Sequence, residues 1–456
     1  MTTYATIDPT TGQEVQRFDT MSDDEVQEAL RLAHAGFRTW RETSIEERAA
    51  VVGRVADRHR SHADELAALM TLEMGKPISQ ARGEVALSAA IYEYYATKGP
   101  DLLADEELDI AGTGRALVRT APIGALLGIM PWNFPLYQVA RFVGPNLLLG
   151  NTVLLKHASS CPQQALMIAE ILREAGAPDG VYQNVFATTD QVADMIASTE
   201  LQGVSLTGSE RAGSAVGAQA GKYLKKCVLE LGGSDPLLVL PDADIELAVA
   251  SAVTGRFGNA GQACTSSKRI IVDENVWDDF VTRFVAKTAS WTVGDPREDG
   301  TRLGPMASIN ARDDLAAQVD DAVAKGATLH IGGFVPEGDG AWYPATVLSG
   351  VTPDMRAWGE ELFGPAAVLY RATSVEHAIT IANDSPFGLG AAVFSRDLEA
   401  AGRVADRLAV GMVGLNTTIK SSPDMPFGGV KKSGIGRELG RFGLDVFANK
   451  KLVHIV

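Results

Sequence analysis

Gly124-Ala-Leu-Leu-Gly-Ile-Met130 and Asn151-Thr-Val-Leu-Leu-Lys156 are two short apolar runs with no polar alternation. Each reads as a strand buried on both faces. Pro162 to Ala175 reads as a helix, Val181 to Ala187 and Gly203-Val-Ser-Leu206 as short strands with helices between, and Lys226-Cys-Val-Leu-Glu-Leu-Gly-Gly233 closes the series. Strands alternating with helices mean βαβ units and a parallel sheet.

Working outward, a second α/β series follows. Glu246 to Gly258, Val276 to Ser290 and Arg312 to Lys325 read as helices, and Lys268 to Val272, Val368 to Tyr370, Ala391 to Ser395 and Met412 to Asn416 as strands. Upstream, residues 22 to 98 read as helices, opened by the capping box Ser22-Asp-Asp-Glu25. Tyr92, Tyr94 and Tyr95 fall at helical spacing and read as core or interface. Ala116 to Ala121 and Lys451 to Val456 read as lone strands, each needing an edge in this chain or in another subunit.

The 456 residues carry a net charge of −16, with a pI near 5.0. Such a chain does not bind a phosphate backbone, so no nucleic-acid partner is expected. An anion site must be built locally from a cation. No apolar run approaches the length of a membrane span, and the first residues lack a signal-peptide pattern. Cys161, Cys227 and Cys264 are too few and scattered for a disulfide framework, which points to a reducing cytoplasm. The histidines show no metal-ligand spacing, so no metal is expected.

The G-x-G-x-x-G fingerprint and the Walker A motif are both absent. Gly434-Ile-Gly436 and Gly388-Leu-Gly390 do not follow the first strand of a βαβ unit and read as turns. Three residues suggest chemistry instead. Cys264, in Gly261-Gln-Ala-Cys264-Thr-Ser-Ser-Lys-Arg269, is either a core thiol or a nucleophile activated by nearby donors. Glu230 sits in an apolar segment ending in a double glycine; it is either salt-bridged or a general base raised by desolvation. Asn133, between Trp132 and Phe134 and flanked by two prolines, either caps a turn or donates to an oxyanion.

Six motifs then occur in order: Pro131-Trp-Asn-Phe-Pro135, Leu206-Thr-Gly-Ser209, Glu230-Leu-Gly-Gly233, Gly261-Gln-Ala-Cys264, Glu360-Glu-Leu-Phe-Gly-Pro365 and Pro426-Phe-Gly-Gly-Val-Lys-Lys-Ser-Gly434. Together they resemble the NAD(P)-dependent aldehyde dehydrogenase superfamily, nearly end to end. The resemblance implies that Cys264 attacks the aldehyde, that Asn133 holds the oxyanion, and that Glu230 activates water to hydrolyse a thioester. Glu438 matches a family glutamate that either relays protons or forms a structural salt bridge. Lys156 is implied to bond the adenosine ribose, Gly208 and Ser209 to face the pyrophosphate, Glu361 to bond the nicotinamide ribose with Phe363 packed nearby, and Leu231 to contact the nicotinamide. Ile129, Met130, Pro131 and Trp132 are implied to line the floor. Where NAD-strict relatives carry a glutamate, Ser159 stands here, so NADP is expected to be accepted in preference to NAD.

The resemblance is nearest to short bacterial succinate-semialdehyde dehydrogenases. It implies that Arg141 clamps a substrate carboxylate, the alternative being a salt bridge to a neighbouring helix, with Ser421 helping at the distal carboxylate. Trp132 and Thr265 are implied to border the substrate tunnel. The rival readings are a broad-specificity aldehyde dehydrogenase and a non-catalytic protein of the same fold. The expected architecture is α/β: a nucleotide-binding parallel-sheet domain (1–109 and 123–233), an α/β catalytic domain (234–440) and a small β oligomerisation element (110–122 and 441–456). The partners expected are a small aldehyde and further copies of the chain, as a homodimer or tetramer.

Overall fold

The computed structural model describes residues 3–456. A hairpin comes first, β1 (Tyr4–Asp8) and β2 (Gln13–Phe18), then four helices: α1 (Asp23–Trp40), α2 (Ile45–Ser61), α3 (Ala63–Met74) and α4 (Ile78–Leu102). Strands β3 (Glu106–Leu108) and β4 (Arg115–Pro122) precede an alternating run of β5 (Ala125–Met130), α5 (Tyr137–Leu149), β6 (Thr152–His157), α6 (Pro162–Glu174), β7 (Tyr182–Asn184), α7 (Thr189–Ala197), β8 (Leu201–Thr207), α8 (Glu210–Lys222) and β9 (Lys226–Glu230). The second series is β10 (Pro236–Val239), α9 (Ile245–Phe257), β11 (Arg269–Asp273), α10 (Trp277–Thr288), α11 (Ile309–Ala324), β12 (Thr328–Ile331), β13 (Thr346–Ser349), α12 (Arg356–Gly359), β14 (Ala366–Ala372), α13 (Val375–Asn383), β15 (Gly390–Phe394), α14 (Leu398–Ala405) and β16 (Met412–Leu415). Two strands finish the chain, β17 (Gly434–Ile435) and β18 (Ala448–Ile455).

The first sheet has the order β17-β9-β8-β5-β6-β7, parallel except for β17. The chain runs outward from β5 through β6 to β7, then jumps back to place β8 on the other side of β5. The carboxyl ends of β5 and β8 therefore flank a topological switch point, where such sheets bind ligands. The second sheet, β12-β13-β14-β11-β10-β15-β16, is parallel except for β12. The apolar runs of β5, β6 and β10 are buried on both faces because helices cover both sides. Tyr92 and Tyr95 are fully buried in the helical core over the first sheet, as their spacing predicts.

The third sheet is antiparallel, β18-β4-β3. The two strands that lack partners in the sequence find each other within the chain, from Ala448 opposite Pro122 to Ile455 opposite Arg115. The sheets depart from the expected boundaries in two places. The third sheet takes in Glu106–Leu108, ahead of residue 110, and Gly434–Ile435 joins the first sheet although it lies within 234–440. The hairpin β1–β2 and the two-residue β17 leave no periodic signal long enough to read. No helix among the described residues is long and apolar enough to cross a membrane.

Candidate active site

The carboxyl ends of β5, β8 and β9 feed three loops into one cavity of about 320 Å³. Pro131, Trp132 and Asn133 come from the first, Thr207, Gly208 and Ser209 from the second, and Glu230, Leu231 and Gly232 from the third. The second sheet's side supplies Cys264, Glu361 and Phe363. Cysteine, asparagine amide and carboxylate, read from distant parts of the sequence, thus meet in one place.

Cys264 follows a strained turn. Asn259 and Ala260 both adopt left-handed backbone at φ 53° and 51°, and Gly261 continues it at φ 68°. Non-glycine residues enter this region at an energetic cost that the surroundings must hold. Arg256 supplies part of that hold: its buried guanidinium donates to the carbonyls of Gly261 (3.2 Å), Leu362 (2.8 Å), Gly364 and Ala366 (2.7 Å). One side chain thereby ties the cysteine loop to the loop carrying Glu361 and Phe363. Burial pushes the Cys264 thiol up to about 12, against the pull of Lys268 and Arg141.

Glu230 ends β9 at 2% exposure, and neither carboxylate oxygen has a hydrogen-bond partner within the protein. Burial drives it well above the usual carboxylate range, with Arg141 opposing. It is therefore a carboxyl held in a dry pocket rather than half of a salt bridge. The Asn133 side chain and carbonyl are fixed at every polar atom but one amide hydrogen. Its Nδ2 donates to Gln262 O (2.9 Å), its Oδ1 accepts from Gln138 Nε2 (3.0 Å), and its carbonyl accepts from Lys76 Nζ and Asn259 Nδ2, each at 2.9 Å. The second amide hydrogen remains free for a ligand.

Other residues separate. Met130 packs into the helical core at 2% exposure and Ile129 packs against the neighbouring cluster, so of the run 129–132 only Pro131 and Trp132 line the cavity. Trp132 meets Phe363 edge-to-face at 5.8 Å. Ser209 caps α8, its hydroxyl accepting from Ala212 N, which leaves backbone N–H groups at that helix start for an anion. Glu361 accepts from Gly233 N (3.1 Å) and pairs with Lys268 Nζ (3.0 Å). Lys156, near the end of β6, and Ser159, just past it, do not line this cavity. The Lys156 ammonium sits 5.4 Å from the Tyr4 ring centre with a single 3.3 Å bond to His157 O, and the Ser159 carbonyl accepts from Ala5 N of β1.

Arg141 differs most from the expectation. It is not an open cation. At 1% exposure it pairs with Glu438, donates to Thr207 Oγ1 (3.0 Å) and Tyr137 Oη (3.3 Å), and stacks over Phe427. Glu438 also accepts from Ser205 Oγ (3.2 Å). Arg141 and Glu438 form one buried salt bridge, with the partner of Arg141 in the segment after β17 rather than on a neighbouring helix. Ser421 reaches it indirectly, accepting from Tyr137 Oη at 2.8 Å. Thr265 lines a separate cavity of about 260 Å³, shared with Phe134, Thr418 and Lys420. Lys268, Gln138 and Arg256 went unread in the sequence; the one available signal was a cation placed directly before an apolar strand.

The chain matches the aldehyde dehydrogenase family over residues 1–453. It is 50% identical over 450 residues to a succinate-semialdehyde dehydrogenase [NADP(+)] of Deinococcus radiodurans, covering 99% of this chain and 94% of that protein. It is 48% identical to a succinate semialdehyde dehydrogenase [NAD(P)+] of Escherichia coli K12, covering 98% and 96%. A crystal structure of succinic semialdehyde dehydrogenase from Streptococcus pyogenes with NADP+ superposes with a TM-score of 0.97 at 40% identity, covering 99% of both chains.

Proposed function

The chain belongs to the aldehyde dehydrogenase family, and from that membership we propose that it oxidises succinate semialdehyde to succinate with NADP+, accepting NAD+ less well. The observation that carries the reaction is the shared cavity of Cys264, Asn133 and Glu230. The substrate and cofactor rest on the relatives' chemistry, together with Ser159 and Lys156.

Those residues fit a dinucleotide. The α8 start offers backbone donors, and a Cβ at Gly208 would meet only Leu206 at 3.6 Å, so the backbone there is open to a pyrophosphate. The Lys156 ammonium, desolvated and held by one long bond, suits the ribose or its phosphate. Pro131, Leu231 and Phe363 line the nicotinamide end, and Ile129 and Met130 support the floor from beneath. NADP+, when bound, accepts a hydride. The Cys264 thiol gives up its proton to solvent, its sulfur forms the bond to the aldehyde carbon, and the carbonyl oxygen takes the negative charge beside the free Asn133 amide hydrogen and the Cys264 N–H. Loss of hydride leaves a thioester. Glu230 takes a proton from water, the hydroxide adds, and the C–S bond breaks to give the acid and the thiol. Because burial raises both the thiol and Glu230, turnover climbs as pH rises toward the alkaline range.

The substrate carboxylate is met by the Ser421 and Tyr137 hydroxyls, with the Arg141 charge behind Tyr137 and exposed Lys420 at the mouth beside Thr265. Glu438 serves as the counter-ion of Arg141 rather than as a relay. The exposed edge strand β18, with Lys450 and Leu452 on one face and Ile455 on the other, offers an edge for self-association, and we assign the chain a homodimer or a tetramer of dimers in a cytoplasmic setting, measurable by light scattering.

The test follows NADPH and NADH formation with succinate semialdehyde, propanal and benzaldehyde, for wild type and Ser421→Ala. A selective rise in KM for the acid semialdehyde supports the reading. Equal turnover of all three aldehydes, indifferent to Ser421, reduces it to a broad aldehyde dehydrogenase.

A further inference from the structure

Lys268 lies four residues beyond the cysteine, at 1% exposure, where a charge is costly to bury without partners. Its ammonium has three hydrogens and three acceptors: Ala263 O (2.8 Å), Cys264 O (2.9 Å) and Glu361 Oε1 (3.0 Å). The first acceptor matters most. The Ala263 carbonyl and the Cys264 N–H belong to the same peptide unit. The chain has no cis bonds, so that N–H points away from the carbonyl and hence away from the ammonium. Among the described residues, the Cys264 N–H finds no acceptor in the chain.

We propose that Lys268 is a positioning residue for the oxyanion site, holding the Ala263–Cys264 peptide plane from behind and polarising it so that the Cys264 N–H donates more strongly to the substrate oxyanion. Hydrogen bonds strung through one amide strengthen each other, and a charged donor at the carbonyl end does so most. The second bond, to Cys264 O, fixes the next peptide too, so the nucleophile is pinned on both sides. Ser266 N adds a weaker hold on Ala263 O at 3.2 Å. Glu361 is the negative partner that keeps an ammonium in this place.

The proposal rests on Cys264 being the nucleophile. It is tested with Lys268→Met, which removes all three bonds, and Lys268→Gln, which keeps a neutral donor. Two reactions are measured: aldehyde oxidation with NADP+, and cofactor-free hydrolysis of p-nitrophenyl acetate. Both build an oxyanion on the carbon attacked by the thiol, but only the first needs Glu361 and the dinucleotide. In the Met variant, kcat for both reactions should fall about 10- to 100-fold, somewhat less than for loss of a direct donor. KM for the aldehyde should stay within about threefold, and Gln should recover part of the loss in both.

Loss of the oxidation alone, with ester hydrolysis at the wild-type rate, overturns the proposal, because Lys268 would then act through Glu361 and the cofactor. So does a wild-type kcat in either folded variant. If Met fails to fold, judged by its thermal transition, the Gln variant decides by the same two rates. A wild type that turns over neither substrate sinks the assignment of Cys264 itself, which is a separate failure read from a different protein.

Discussion

At the residue scale, the buried charges set the consequences. Arg141→Met strands Glu438 in a dry interior, and breaking such a pair costs about 3–5 kcal/mol. Urea unfolding should show that loss, and the double change Arg141→Met with Glu438→Leu should recover at least half of it; no recovery would mean that the two residues act independently. Activity toward every aldehyde should drop with the single change, unlike the selective effect at Ser421. Asp235 gives a pH signature. Its carboxyl is pushed up to about 8, chiefly by burial, and Oδ2 has no partner while Oδ1 accepts from Gly390 N (3.0 Å). Between the ordinary carboxylate range and pH 8, the folded state keeps a proton that the unfolded chain releases, so this group removes stability as pH rises through that window. Asp235→Asn stays neutral throughout. Its melting temperature should gain on wild type from pH 5 to pH 9; curves that stay parallel contradict the shift. Cys264, Glu230 and Asn133 were legible because each stands in a local motif. The pairing of Arg141 was not, because its partner lies on the far side of the sequence and only folding brings them together.

At the element scale, β17 is the smallest strand and among the most consequential. Gly434 pairs opposite Glu230, the residue that ends β9. Gly434 has φ 129°, and a Cβ there would clash with the Leu229 carbonyl. Gly434→Ala should therefore lift β17 from β9 and loosen the support of Glu230. The expected outcome is a thioester that forms but hydrolyses slowly: a rapid burst of NADPH, then a steady rate reduced at least tenfold. A variant with an unchanged steady rate would show that β17 does not support the base. The parallel strands β5, β6, β8 and β9 were readable because continuous apolar runs bounded by glycine carry their own signal. Two residues of strand carry none, and the Gly434-Ile-Gly436 turn betrayed the bend without its partner.

At the scale of the whole molecule, the chain builds the first sheet, leaves to build the second, and returns. The returning segment does much for the part it left. Glu438 neutralises Arg141, Gly440 O accepts from Tyr95 Oη (3.0 Å), and Phe447 O accepts from Asn151 Nδ2 (3.0 Å). Phe447 also packs edge-to-face on Phe142 at 5.7 Å, and β18 completes β4. Residues 1–233 alone should lack a cooperative thermal transition by circular dichroism, and co-expression of residues 425–456 should restore one; a fragment that melts sharply by itself would refute this. The parallel-sheet units of this architecture were legible from alternation, but the return was not, since nothing in a linear pattern says which earlier strand a late one will join.

That return also sets a clock on synthesis. A ribosome adding about 5–20 residues per second needs roughly 10–40 s to travel from Glu230 to Glu438. Throughout that interval the growing chain already carries Arg141 with no counter-ion and a base strand with no neighbour on its outer edge. A chain released early therefore carries both Cys264 and Glu230 yet cannot seat them, so the site is complete only once the segment containing Glu438 has been made.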